Sequence, residues 1–115
     1  MVSVEQVRRY ALSLPRSYEA LVRDSVKFRV GSMVFVAISP DETLMGFGFP
    51  RDERADLVAS DPERYVMPVA SDERYHWVRV RMAALDEDEM RELVLDAWRM
   101  VVPKKVAASV LPLTP

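Results

Sequence analysis

The sequence predicts a two-layer α+β domain in which helices cover one face of an antiparallel sheet. Two observations support this prediction. Apolar residues recur at helical spacing near both ends of the chain, and the segments between these helices contain runs of alternating apolar and polar residues, separated by turn residues. A length of 115 residues suits one such domain, so residues 1–115 are expected to fold as a unit. Half of the residues are hydrophobic and 30% are charged, which is typical of globular chains.

The first half of the chain predicts one helix and a four-strand meander. Ser3 and Gln6 form a capping box at the start of the helix, and Pro15 ends it. Gly31-Ser32 predicts a tight hairpin, and Pro40-Asp41-Glu42 predicts the following turn. The predicted strands are residues 18–23, 25–30, 33–38 and 43–49.

The second half predicts helices around one further strand. Pro50 suits the first position of a short acidic helix, and Asp61-Pro62 predicts another helical turn. Alternation returns at Trp77 and predicts the fifth strand.

Asp86 followed by Glu89 predicts the cap of the longest helix, which Pro103 interrupts. The apolar segment 106–111 predicts one last helical turn.

Composition excludes several kinds of chemistry. The chain has no cysteine, which excludes disulfides, thiolate nucleophiles and cysteine-ligated metals. His76 is the one histidine and hence the one candidate imidazole base, but no pattern brings a serine and a carboxylate beside it. We therefore expect no enzymatic activity, no metal and no cofactor. No apolar run approaches the roughly 20 residues that span a bilayer, so we expect a cytoplasmic protein without a membrane partner.

Charge is distributed unevenly along the chain. Residues 1–40 carry six basic and three acidic side chains, residues 41–75 carry four and nine, and residues 76–115 carry six of each. If helices cover one sheet face, alternation places four cations and one aromatic on the other: Lys27, Arg29, Trp77, Arg79 and Arg81. Cations that neutralise phosphates, beside an indole that stacks on bases, suit nucleic acid. The alternative is a solvated face whose long side chains cover apolar neighbours.

Other charged groups have two interpretations each. Lys104 and Lys105 extend the basic surface or act as favourable charges near a helix C-terminus. The acidic run 86–89 suggests a cation site, but its place in a helix's first turn favours capping. The same interpretation applies to Asp52, Glu53 and Asp56.

Apolar and small residues also admit alternatives. Gly46 and Gly48 lie inside a predicted strand, which indicates a bulge or the close approach of another backbone. Met90, Trp98 and Met100 on the longest helix are expected in the core, or else at a dimer interface.

Several short motifs, in order, resemble the MmcQ/YjbR family. They are Leu14-Pro15, Phe28-Arg29-Val30-Gly31, Val34-Phe35-Val36, Trp77-Val78-Arg79-Val80 and the ending 97–105, where a helix runs into a proline and two lysines. The resemblance implies an α+β fold similar to that of secretion chaperones. Members of the family are commonly labelled DNA-binding. Where the family usually has a lysine after the hairpin glycine, this chain has Ser32.

The sequence-based hypothesis is a DNA-binding module that contacts phosphates weakly and without sequence specificity. The alternative is a protein-interaction or chaperone-like adaptor, favoured by the acidic segment 50–75, which acts as a homodimer or holds a protein partner.

Overall fold

The protein folds into a six-stranded antiparallel sheet with helices on one face, in a computed structural model that describes residues 1–110. The α+β prediction is therefore confirmed. The helices are α1 (Val4–Ser13), α2 (Arg54–Ser60), α3 (Glu87–Arg99) and α4 (Lys104–Ala107). The strands are β1 (Ser17–Val22), β2 (Ser25–Val30), β3 (Met33–Ile38), β4 (Leu44–Gly48), β5 (Tyr65–Val66) and β6 (Trp77–Arg81).

The sheet extends the predicted meander by two strands. Its order is β1-β2-β3-β4-β6-β5, so β6 pairs with β4 and β5 forms the far edge. The sequence analysis missed β5, but the turn predicted at Asp61-Pro62 is present as a single turn that does not continue into a helix. The Asp61 carbonyl accepts hydrogen bonds from the backbone N–H groups of Arg64 and Tyr65, at 3.1 and 2.9 Å, and the chain then enters β5. A two-residue strand is too short for alternation to reveal.

The hairpin between β2 and β3 is confirmed. Val30 pairs with Met33, and Gly31 between them has a φ of +59°. β3 has one extra residue, a β-bulge, opposite β2. The shift in register between Phe28, which pairs with Val36, and Arg29, which pairs with Val34, shows where it lies. Phe35 is that residue, and its burial shows that the bulge adds a large side chain to the core.

The bulge predicted at Gly46 or Gly48 is absent. β4 pairs without a register shift with both β3 and β6.

The core lies between the sheet and the helices α1 and α3. Helical spacing in α1 buries Val7 and Ala11, as predicted from its apolar face. From α3, Met90 and Trp98 are fully buried, and the Trp98 indole N–H donates to the Pro15 carbonyl at 2.9 Å. The core prediction for Met100 is wrong: its side chain is 45% exposed, just beyond the end of α3.

Local signals at the helix starts were mostly interpreted correctly. Ser3 and Gln6 form the predicted capping box, with hydrogen bonds of 3.2 and 2.8 Å. Pro50 does not begin a helix but precedes the short 3-10 turn Arg51–Glu53, after which α2 begins. The last helical turn is α4, and Leu111, at the end of the predicted segment 106–111, lies outside the described residues.

Candidate nucleic-acid interface

The register of the sheet places four cations on the face opposite the helices. Across the strands, Lys27 pairs with Ala37, Ala37 with Gly46, and Gly46 with Arg79. Directly opposed residues point to the same side of a sheet, so Lys27 and Arg79 share a face. Alternation adds Arg29 and Arg81, and also Trp77, to the same face, which we call the open face.

The centre of the open face is apolar. The two middle strands, β3 and β4, contribute four residues without polar side chains, which we call the apolar strip: Val34, Ala37, Leu44 and Gly46. The cations stand on either side of it, Lys27 and Arg29 on β2 and Arg79 and Arg81 on β6. Three strand spacings separate β2 from β6, which puts their backbones about 14 Å apart.

No carboxylate neutralises the cations of the open face among the described residues. Their strand positions on this face include no Asp or Glu, and none of the four cations forms an ion pair. The helix side differs, since Arg8 pairs with Glu5 and Glu19 at 2.8 Å each. The two sides of the sheet are therefore electrostatically unlike.

The two pairs of cations differ in their contacts. Arg79 donates through Nε and Nη2 to the Met67 carbonyl, at 3.0 and 2.7 Å, and Arg81 Nε donates to the Glu63 carbonyl at 3.0 Å. These carbonyls hold the side chains against the backbone on either side of β5 and leave the charges uncancelled.

Lys27 and Arg29, in contrast, form no side-chain hydrogen bond within residues 1–110, and the Arg29 Nε is buried without a partner. The β2 pair is thus the one whose charged groups are not engaged by the protein.

Trp77 occupies the space above Gly46. A Cβ at Gly46 would lie only 2.6, 2.7 and 2.8 Å from the indole atoms Cζ2, Nε1 and Cε2. The close approach predicted for this glycine exists, but a side chain makes it rather than another backbone. At Gly48 a Cβ would lie 3.6 Å from the Ala97 Cβ, which is ordinary contact with α3.

A buried arginine holds the chain that leads into Trp77. Arg54 is 7% exposed and donates to the carbonyls of Glu73, Tyr75 and Trp77, at 2.5, 2.9 and 3.3 Å. No local signal pointed to this role, because an arginine in a short acidic helix has the same local pattern as any surface arginine.

His76 also helps to hold the chain that leads into β6. Its Nδ1 accepts a hydrogen bond from the Arg51 backbone N–H at 2.9 Å, and the side chain is exposed. The imidazole therefore connects the start of the 3-10 turn to the beginning of β6, a structural contact.

The two lysines after Pro103 do not join the open face. Lys104 and Lys105 are the first residues of α4, which packs against α3 in the helix layer. They lie beyond the end of α3 at Arg99, and because α4 has only four residues they fall in its last turn as well as its first.

The acidic run 86–89 serves the start of α3. The Asp86 carboxylate accepts the Glu89 backbone N–H at 2.8 Å, and this hydrogen bond lowers the pKa of Asp86. The Glu89 carboxylate pairs with Arg64, and that of Glu87 with Arg91. In the described part of the chain, no group of three His, Asp or Glu side chains gathers as a metal site.

The carboxylates of the α2 region lie in first turns, as predicted, but none forms a capping hydrogen bond there. They are Asp52, Glu53 and Asp56. Within residues 1–110, no helix combines the length and the apolar character needed to cross a membrane.

Comparison with known proteins shows the fold and the family. A search of curated proteins found no match. Among solved structures, the chain is similar to the crystal structure of Deinococcus radiodurans protein DR2400, with its domain DUF419: the TM-score is 0.76 at 18% identity, over 91% of this chain and 82% of that one. A family model described as YjbR matches residues 12–100, which is more than half of the chain and confirms the resemblance seen in the sequence. The chain belongs to the YjbR family.

Proposed function

We propose that this protein binds nucleic acid through the open face of its sheet. The observation that carries the proposal is the set of four cations on that face that no carboxylate neutralises within the described residues. Each of these cations can replace a counterion that is condensed on a polyanion. Release of those counterions would supply most of the binding free energy.

Binding of this kind does not depend on base sequence. Asn and Gln are the side chains that read adenine edges in pairs of hydrogen bonds. The chain contains no Asn, and its one Gln, Gln6, is engaged in the capping box of α1. Phosphate contacts alone give affinity and position without sequence information. With the arginines of the open face on phosphates, rather than on the guanine edges that arginine can also read, we expect weak binding that tolerates any sequence.

The test is a titration of labelled DNA at several salt concentrations. With two phosphate contacts, at Lys27 and Arg29, or up to four if Arg79 and Arg81 also take part, the logarithm of the binding constant should fall against the logarithm of salt with a slope of roughly −1.4 to −3.6. The double variant Lys27→Glu/Arg29→Glu should lose most of the binding. These two positions are preferable to Arg79 and Arg81, whose side chains also hold the backbone beside β5.

The matched control is Lys104→Glu/Lys105→Glu, which changes the net charge by the same amount on the helix layer. The control should bind like the unmodified protein. Equal losses in both variants would show that net charge rather than the open face governs binding, and a slope near zero would reject phosphate contacts altogether.

A further inference from the structure

We propose that the ligand of the open face is single-stranded nucleic acid, with phosphates along Lys27 and Arg29 and bases on the apolar strip beside Trp77. This inference rests on the proposed function and specifies its substrate class. It follows from the chemistry of the strip, from the difference between the two cation pairs, and from the placement of the indole.

The apolar strip suits the faces of bases. Val34, Ala37 and Leu44 are partly buried and offer only carbon to a ligand, and Gly46 adds no side chain. In a duplex the base faces are stacked on one another and only their edges are exposed in the grooves. A surface without hydrogen-bonding side chains has nothing to bind at those edges. It can bury the faces of unstacked bases, as other sheet surfaces that recognise single strands do.

The difference between the two cation pairs determines on which side of the open face the phosphates of the nucleic acid are expected. The Lys27 Nζ and the Arg29 terminal nitrogens Nη1 and Nη2 have no hydrogen-bond partner in residues 1–110 and are not buried, so these donors, unlike the buried Arg29 Nε, are available for phosphates. Arg79 and Arg81 already donate to backbone carbonyls. Phosphates are therefore expected on the β2 side, with the bases pointing across the strip toward β6.

Trp77 stands where those bases would arrive. Its indole extends from β6 over Gly46 at the far side of the strip, and it is partly exposed. Arg54 donates to the Trp77 carbonyl and to two carbonyls just before it, which holds this part of the backbone in place. Stacking on an aromatic side chain is insensitive to base identity, which agrees with binding that tolerates any sequence.

Charge repulsion disfavours a second copy of this chain that docks open face to open face. Two open faces brought together would oppose the four cations of one copy with the four cations of the other. A polyanion that also carries flat apolar groups matches both the cations and the strip.

The experiment compares three probes of equal length at one salt concentration: single-stranded oligodeoxythymidine of about 12 nucleotides, an abasic strand with the same sugar-phosphate backbone, and a duplex. The thymidine strand should bind roughly 5- to 140-fold more tightly than the abasic strand, the range that stacking one base contributes. The duplex should bind more weakly than the thymidine strand. Because the abasic comparison changes only the ligand, it does not depend on whether a variant folds.

A protein variant gives a second readout. Trp77→Leu should reduce affinity for the thymidine strand toward that of the abasic strand and leave the salt slope unchanged, because the phosphate contacts remain. If the abasic strand or the duplex binds as tightly as the thymidine strand, this inference is overturned while the proposed function stands. If none of the three probes binds, both fail.

Discussion

Gly46 and Trp77 show how one residue without a side chain shapes the open face. The two are on neighbouring strands, and the indole lies where a side chain at Gly46 would be. Only glycine leaves that space free. The aromatic group of the proposed interface thus has its position because a methyl group is missing from the adjacent strand.

Replacing this glycine tests the contact. Gly46→Ala should lower the free energy of unfolding by about 1 to 3 kcal/mol, because a Cβ at 2.6 Å from the indole forces the ring to move. Urea denaturation measures the change. In a double-mutant cycle with Trp77→Ala, the cost of the alanine should largely disappear. An equal cost in both backgrounds would mean that the indole is not what excludes a side chain there.

At the scale of elements, the entry to α3 depends on a single acceptor. The Asp86 carboxylate satisfies the Glu89 backbone N–H, one of the donors that a helix start leaves free. The helix matters for the whole fold because α3 buries Met90, Val94 and Trp98 against the sheet. Loss of the cap should therefore lower the stability of the whole fold and not only that of the first turn of α3.

The cap should make stability depend on pH. The hydrogen bond from Glu89 holds the pKa of Asp86 below its ordinary value in the folded protein. A lowered folded-state pKa means that the stabilisation is complete above the unfolded value, about 3.9, and is lost as pH falls through the folded-state value. Asp86→Ala should accordingly reduce the melting temperature at pH 7, and the difference from the unmodified protein should shrink as the pH falls below the unfolded value of about 3.9.

Asp88→Ala is the matched control, since Asp88 lies in the same turn and is exposed. It should change the melting temperature little at either pH, as followed by circular dichroism. Similar effects of the two alanines would show that helix-dipole charge, rather than the hydrogen bond, is responsible.

At the scale of the molecule, the sheet separates two kinds of surface. Ion pairs join acidic and basic side chains on the helix layer, as in Arg91 with Glu87 and Arg99 with Asp96. The open face carries cations without such partners among the described residues. A formal net charge of −2 is therefore an average over unlike surfaces, and it does not describe what a ligand at the open face would meet.

This separation predicts retention on a polyanion despite the acidic composition. At pH 7 the protein should bind immobilised heparin and elute with salt, although its sequence pI is near 5.4. The measurement is the salt concentration at elution. A lower value for Lys27→Glu/Arg29→Glu, and an unchanged one for Lys104→Glu/Lys105→Glu, is expected. Passage of the unmodified protein straight through the column would contradict the separation of charge.

Prediction from the sequence succeeded where the signal was local. Alternation gave β2 and β3, a two-residue turn gave their hairpin, and cap residues gave the starts of α1 and α3. It failed at β5, because a strand of two residues is too short to show alternation, and it placed the last helical turn at residues 106–111, whereas α4 begins at Lys104. For the candidate site, alternation placed Lys27 with Arg29 and Arg79 with Arg81, since each pair shares a strand.

What the sequence determined by itself is the set of local periodicities, caps and turns, and with them the α+β class, because each of these depends on neighbours within a few positions. Only the tertiary structure decided that β6 pairs with β4, which brings the cations of two distant strands to either side of an apolar strip. It also decided that Arg79 is held by the Met67 carbonyl and that Arg54 holds the chain before Trp77. Those contacts join residues far apart in the chain, and their formation depends on burial and register, which no local pattern contains.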